Sequence, residues 1–213
     1  MIEAVIFDMD GLMIDTEVVN YHAFAGFLKT VGVELTKEDY CVIFTGRPVD
    51  SAFNAAKEKF HVEFDINDAI DYLINTNDQR SKDIPLKPGL IELLNYLKIN
   101  NYKLAIATSS GLDRVYKLFA SYNVLSYFDE IVCGPDVKRG KPAPDIFLKA
   151  CEKLGVNTHN ALVLEDSEAG IEAAYNANVK VICVPDMKVP DKKHYDMLEK
   201  QLDSLTDVIE YLK

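Results

Sequence analysis

The chain of 213 residues lacks several features that would each name a function class. Its four cysteines, Cys41, Cys133, Cys151 and Cys183, lie far apart, with no Cys-x-x-Cys pair and no zinc signature. Three adjoin apolar residues (Val42, Val132, and Ile182 with Val184), which predicts reduced core cysteines of an intracellular protein. The N-terminus, Met1-Ile2-Glu3, has no basic region and no long apolar segment, so no signal peptide is expected. No apolar run approaches the roughly 20 residues of a membrane helix. Basic excess is missing too: 23 Lys and Arg face 34 Asp and Glu, a formal charge of −11, which argues against a nucleic-acid-binding surface. Low-complexity tracts and internal repeats are absent. The expectation is a cytoplasmic protein without nucleic-acid or membrane partners, and a monomer. An anionic substrate stays open, because a metal ion and a few lysines can reverse the local field.

What remains is an ordinary globular composition, 48% hydrophobic and 27% charged, long enough for one large domain or two unequal lobes. Val5-Ile6-Phe7 reads as a buried strand. Residues 16–82 show no convincing strand. There, Ala23, Phe24, Phe27, Leu28 and Val31 recur at helical spacing, as do Val49, Phe53, Ala56 and Phe60, and again Ile66, Ile70, Leu73 and Ile74. Ile84-Pro85-Leu86-Lys87-Pro88-Gly89 reads as a stiff return linker. Beyond it, helices Leu90–Leu97, Leu112–Ala120, Asp145–Leu154 and Glu168–Tyr175 alternate with strands Lys103–Ala107, Glu130–Cys133, Ala161–Leu164 and Lys180–Val184. A last helix, Leu205–Leu212, is expected to pack on the sheet. The alternation predicts an α/β fold, a Rossmann-like parallel sheet with right-handed crossovers and an inserted helical cap domain. The predicted division is 1–15 with 84–213 for the core and 16–83 for the cap, which could then close over whatever lies just before it.

Polar clusters sit at the predicted strand ends. Asp8-Met9-Asp10-Gly11 follows the first strand; in an extended segment Asp8 and Asp10 point the same way, and their repulsion calls for a cation or a shared proton. Thr108-Ser109-Ser110-Gly111 opens a helix, where hydroxyls and free backbone N–H groups can hold an anion; a plain Ser N-cap is the simpler alternative. Lys138-Arg139-Gly140-Lys141-Pro142-Ala143-Pro144-Asp145 has the wrong spacing for a P-loop, and Pro142 stands where Ser or Thr is required. It reads instead as one lysine fixed by prolines and aimed at the acids or a phosphate, or as a solvated basic turn. Glu165-Asp166-Ser167 ends another apolar strand. Together with Asp8 and Asp10 it forms an oxygen set suited to Mg²⁺.

Taken in order, these clusters resemble the haloacid dehalogenase superfamily of phosphohydrolases, in the branch with a small helical cap after the first strand. The resemblance spans nearly the whole chain. It rests on Asp8 through Glu17, on Thr108, on Lys141-Pro142 with Pro144-Asp145, and on Glu165-Asp166-Ser167 with Gly170-Ile171. It implies a Mg²⁺-dependent phosphatase of a small phosphorylated metabolite. Asp8 would be the nucleophile that forms an aspartyl-phosphate, and Asp10 the general acid and base. Thr108, the Ser109 backbone and Lys141 would bind the phosphoryl oxygens, with Lys141 also orienting Asp8. The metal would be held by the Asp8 carboxylate, the Asp10 carbonyl and Asp166, with Glu165 acting directly or through water.

Specificity would come from the cap, with Gly46 and Arg47 of Thr45-Gly46-Arg47-Pro48 as candidates beside the plain reading of Arg47 as a surface residue. The resemblance of this segment points to a sugar phosphate. The nearest rival is a β-phosphoglucomutase-type phosphomutase. Its cap His and Lys would align with Asn20 and Thr76 here, which favours hydrolysis. A dehalogenase suits the acids less well, and no cap lysine is marked out for phosphonate chemistry. A non-catalytic phosphometabolite sensor is the reading from a different class; the intact Asp8, Asp10, Lys141 and Asp166 argue against it.

Overall fold

The computed structural model describes residues 1–45, 47–80 and 84–213. Six parallel strands form one sheet: β1 Ala4–Phe7, β2 Lys103–Thr108, β3 Glu130–Cys133, β4 Ala161–Glu165, β5 Lys180–Cys183 and β6 Lys200–Gln201. Their order is β3-β2-β1-β4-β5-β6. Strand β1 pairs in register with β2 on one side (Phe7 opposite Ile106) and with β4 on the other (Phe7 opposite Leu164). The chain runs outward from β1 to β2 and β3, then returns to β4 on the other flank. That reversal opens a crevice at the carboxyl ends of the central strands, where open α/β sheets bind ligands.

A strand covered on both faces needs side chains that are apolar throughout. Every residue of Ala4–Phe7 and of Ala161–Glu165 is buried, and Glu165 is the one charged member. Helices α5 (Leu90–Ile99), α6 (Leu112–Phe119), α7 (Asp145–Leu154) and α8 (Glu168–Asn176) supply the crossovers. On one face, Phe147, Ala150 and Cys151 of α7 and Ala173 and Ala174 of α8 join Ile6, Val132 and Val163 in a continuous core.

The parallel α/β architecture expected from the sequence is present, with several differences. β6 was not foreseen, because two exposed residues carry no periodic signal. The last helix, α9 (Leu205–Leu212), packs against α5. Cys133, Cys151 and Cys183 are buried, whereas Cys41 is only partly buried and its neighbour Val42 is 66% exposed. Burial pushes the Cys151 thiol up to about 11 and the Cys183 thiol up to about 12, so neither is a ready thiolate.

The chain divides into two compact units, Met1–Asp15 with Pro85–Lys213, and Thr16–Ile84. The second contains α1 (Thr16–Thr30), α2 (Lys37–Ile43), α3 (Val49–Phe60) and α4 (Ile66–Arg80). Its centre is aromatic: Phe24, Phe27, Phe44, Phe53 and Phe64 lie with ring centroids 4.4 to 5.9 Å apart. Helix α2 escapes the hydrophobic pattern because it is short. It is started by Thr36, whose hydroxyl accepts from the Asp39 N–H at 3.1 Å.

Candidate active site

Strand β1 ends at Phe7, and Asp10 lies three residues on as a single bridge residue, its backbone paired in parallel with Ile14. The Asp8 N–H donates to Leu164 O at 3.0 Å, which seats Asp8 beside the end of β4. The chain then turns: Met13 N–H bonds to Met9 O at 2.9 Å, and Gly11 N–H to Ile14 O at 3.0 Å. Asp10 thus stands where the chain leaves β1 for the turn of residues 11–13, close enough to Asp8 for its charge to raise the Asp8 pKa.

Gly11 is required twice over. Its φ is +86°, and a Cβ there would stand 2.3 Å from Asp166 Oδ2. The close approach of this turn to Asp166 therefore depends on the absence of a side chain. Gly170 plays the same part for the other acid, since a Cβ would meet Glu165 Oε1 at 1.7 Å.

At the centre is a buried ion triad. The Lys141 ammonium bonds to Asp8 Oδ1 and, at 2.5 Å, to Glu165 Oε1. Lys141 arrives from the loop before α7, and its Nζ lies 5.1 Å from the centroid of the Phe147 ring, one turn into that helix. Its side chain is 6% exposed, that of Asp8 10%, and that of Glu165 0%. This excludes the solvated basic turn as an account of Lys141.

The remaining oxygen of Glu165, Oε2, accepts from Asp166 N–H at 3.0 Å, Ser167 N–H at 2.9 Å and Ser167 Oγ at 2.9 Å. Both Glu165 oxygens are therefore engaged by protein donors. Ser167 is also the N-cap of α8, its hydroxyl accepting from Gly170 N–H at 3.1 Å. One serine thus starts the helix and holds the acid.

The electrostatics are those of acids crowded in a dry site. Burial raises the Asp8 carboxyl to about 7; the Lys141 ammonium opposes that rise and Glu165 adds to it. Asp166 is raised well above the ordinary carboxylate range by burial, then by Glu165, Asp8 and Asp186. Burial by itself would lower the Lys141 pKa, but the flanking carboxylates more than offset this and the ammonium is held firmly protonated.

One lysine thus serves three acids, and Asp8, Glu165 and Asp166 each offer an oxygen within 4.8 Å of the others. A hard divalent cation with oxygen ligands fits this donor set and relieves the unbalanced charge. Asp8 and Asp166 are the better placed ligands, because Glu165 is committed to Lys141 and to the start of α8.

The Thr-Ser-Ser-Gly segment does not behave as a Ser N-cap. The N-cap of α6 is Gly111, without a side-chain cap. Thr108, 1% exposed, accepts the Ser110 N–H on Oγ1 at 3.1 Å, and Ser109 is exposed. The Ser110 hydroxyl instead donates to Asp10 Oδ2 at 3.1 Å, and Arg114 Nη2 donates to Asp10 Oδ1 at 2.6 Å. Neither Arg114 nor Ser167 was singled out in the sequence. The first stands in no strand-end cluster, and the second was read only as part of a motif. Arg47 belongs to the helical unit, where it is exposed, and Gly46 lies outside the described residues.

Comparison with known proteins gives a consistent result. The sequence model of the haloacid dehalogenase-like hydrolases matches residues 5–184. A phosphorylated carbohydrates phosphatase of Thermotoga maritima is 33% identical over 182 residues, covering 84% of this chain and 83% of that protein. A (DL)-glycerol-3-phosphatase of Arabidopsis thaliana is 34% identical over 220 residues, 95% of this chain and 87% of the relative. The crystal structure of CbbY from Rhodobacter sphaeroides in complex with phosphate superposes with a TM-score of 0.70 at 27% identity, covering 98% of this chain and 96% of that one. Among the described residues no helix is long and apolar enough to cross a membrane.

Proposed function

The chain belongs to the haloacid dehalogenase-like hydrolase family, and we propose that it is a Mg²⁺-dependent phosphatase of small phosphorylated metabolites, sugar phosphates foremost. The observation that carries this reading is the buried Asp8–Lys141–Glu165 triad beside Asp166, at the carboxyl ends of the adjacent strands β1 and β4. The relatives named for phosphorylated carbohydrates and for glycerol 3-phosphate support the substrate class.

In the proposed reaction a carboxylate oxygen of Asp8 attacks phosphorus in line with the ester oxygen. The P–O ester bond breaks, its electron pair goes to the leaving oxygen, and Asp10 delivers a proton to that oxygen. Asp10 then takes a proton from water as the water oxygen attacks the aspartyl-phosphate. The P–O bond to Asp8 breaks, inorganic phosphate leaves, and Asp8 returns as the carboxylate and Asp10 as the acid. Lys141 opposes protonation of Asp8 and fixes its orientation. The Ser109 N–H, the Thr108 hydroxyl and Lys141 bind the phosphoryl oxygens and stabilise charge as it shifts.

Asp8, Asp166 and the Asp10 carbonyl would hold Mg²⁺, with Glu165 behind them. When bound, the ion offsets repulsion between nucleophile and phosphate. Arg47 and Gly46 are proposed to set specificity. A cytoplasmic monomer is part of the same proposal; the buried free thiols of Cys133, Cys151 and Cys183 support the reducing compartment alone.

The test is phosphate release from p-nitrophenyl phosphate and a panel of sugar phosphates, with and without Mg²⁺, using Asp8→Asn as control. Activity of the wild type that requires Mg²⁺ and vanishes in the variant is expected. A wild type inactive on every ester would end this reading.

A further inference from the structure

We propose that Arg114 is a positioning residue for the acid–base carboxylate of Asp10, an inference that rests on the phosphatase reading above. Its guanidinium donates to Asp10 Oδ1 at 2.6 Å across 104 residues of sequence, and the Ser110 hydroxyl takes Oδ2 at 3.1 Å. Both oxygens are thus held from one segment, the loop and first turn between β2 and α6.

Three independent observations point to a working role for this pair. The first is the place of Arg114 on its helix. With Gly111 as N-cap, it stands in the first turn of α6, where the helix dipole disfavours a cation. Packing does not explain it either, since its side chain is 48% exposed and the buried face of α6 is formed by Val115, Leu118 and Phe119. A half-exposed ion pair also contributes little to stability.

The second observation is that, among the described residues, no other side-chain hydrogen bond or ion pair holds Asp10. Its backbone forms a single bridge with Ile14, but its side chain is 34% exposed, so close packing does not fix its rotamer. Asp8, by contrast, is locked in the buried triad.

The third is which segment does the holding. Thr108 and Ser109, the groups proposed to bind the phosphoryl oxygens, belong to the same loop, and Thr108 Oγ1 accepts the Ser110 N–H at 3.1 Å. The acid is therefore indexed to the loop that places the phosphorus. An acid that must reach the ester oxygen of a bound phosphate needs this registration, because small displacements of a proton donor cost large factors in rate. Each carboxyl oxygen accepts one protein donor and keeps a further position, which can carry the proton for the leaving group or take one from water.

The experiment exploits the leaving group. Departure of an alkoxide from glycerol 3-phosphate needs a proton, whereas p-nitrophenolate leaves without one. For Arg114→Ala, kcat/KM on glycerol 3-phosphate should fall about 10- to 100-fold, a part of the usual contribution of general acid catalysis, and only a few-fold on p-nitrophenyl phosphate. Arg114→Lys should recover most of the loss, since the contact is a single Nη2–Oδ1 bond that an ammonium can replace. In an Asp10→Asn background, Arg114→Ala should have no further effect, because the two would act through one group. Thermal melting should show all variants folded.

Equal losses on both esters would overturn the inference. So would additivity with Asp10→Asn, or a faster enzyme without Arg114, which would mean that the arginine parks Asp10 out of action. A wild type that cleaves neither ester is a separate result: it removes the phosphatase reading, and this inference with it.

Discussion

The sheet unit and the helical unit bury different chemistry. Among the described residues, Asp8, Thr108, Lys141, Glu165 and His194 of the sheet unit carry buried polar or charged side chains, against Thr16 and Tyr40, both uncharged, in the helical unit. The helical unit is closed by an aromatic cluster around Phe53, which is 0% exposed. Parallel strands can hold ionised groups out of water because their ends converge on donors from several segments: a lysine before α7, backbone N–H groups opening α8, and the serine that caps it. A small bundle of short helices offers no such convergence, and aromatic rings fill its centre. Reactivity is therefore built into one unit, while the stability of the other rests on packing.

The sharpest way to break this division of labour is Asp8→Asn. Removal of a covalent nucleophile should cost turnover on the order of 10⁶-fold, measured as phosphate release. Residual activity near the wild-type level would move the chemistry elsewhere.

Next come two deletions of comparable size, one in each unit. Lys141→Ala leaves Asp8 and Glu165 buried beside each other without their cation, and should cost about 3–5 kcal/mol of unfolding free energy by urea titration. Added Mg²⁺ should recover part of it. Phe53→Ala should cost about 3–5 kcal/mol through lost burial and a cavity. Mg²⁺ affinity measured by calorimetry should be unchanged in this second variant. A lost isotherm there would show that the helical unit takes part in the metal site.

The effect of pH is smaller, and its sign separates the buried acid Asp8 from exposed carboxylates of the same unit. The Asp8 pKa rises on folding from 3.8 to about 7, so the folded protein binds the proton more tightly than the unfolded chain. The contribution of Asp8 is fully present below pH 4 and is lost as pH rises towards 7, with a slope of at most about 1.4 kcal/mol per pH unit. Other carboxylates titrate the opposite way; Asp129 is lowered by the Leu104 N–H and by Lys98 against the effect of burial. The quantity to measure is therefore the difference in unfolding free energy between wild type and Asp8→Asn across this range without metal. A difference that does not change with pH would remove the buried-acid account.

Smallest is Ser167→Ala, which deletes the α8 cap and one donor to Glu165. About 1 kcal/mol is expected from chemical denaturation.

Much of this contrast is legible in the sequence. Val5-Ile6-Phe7 and Leu162-Val163-Leu164 are continuous apolar runs, and a strand buried on both faces can hardly be anything else. Acids at the ends of such runs announce a site, because carboxylates are otherwise kept in water. Short or exposed elements left no such trace: α2 has only seven residues, and β6 only two. The packing of α9 on α5 was hidden as well, since an apolar helix face does not name its partner.

By itself, then, the sequence determined the alternation of helix and strand and the residue types gathered at the strand ends, because burial acts on each residue locally. Only the tertiary structure decided which partner each charge would find. It gave Lys141 to both Asp8 and Glu165, committed Ser167 to Glu165, and placed Arg114 across 104 residues against Asp10. Those pairings are set by where segments distant in the chain come together in space, and no local pattern encodes that.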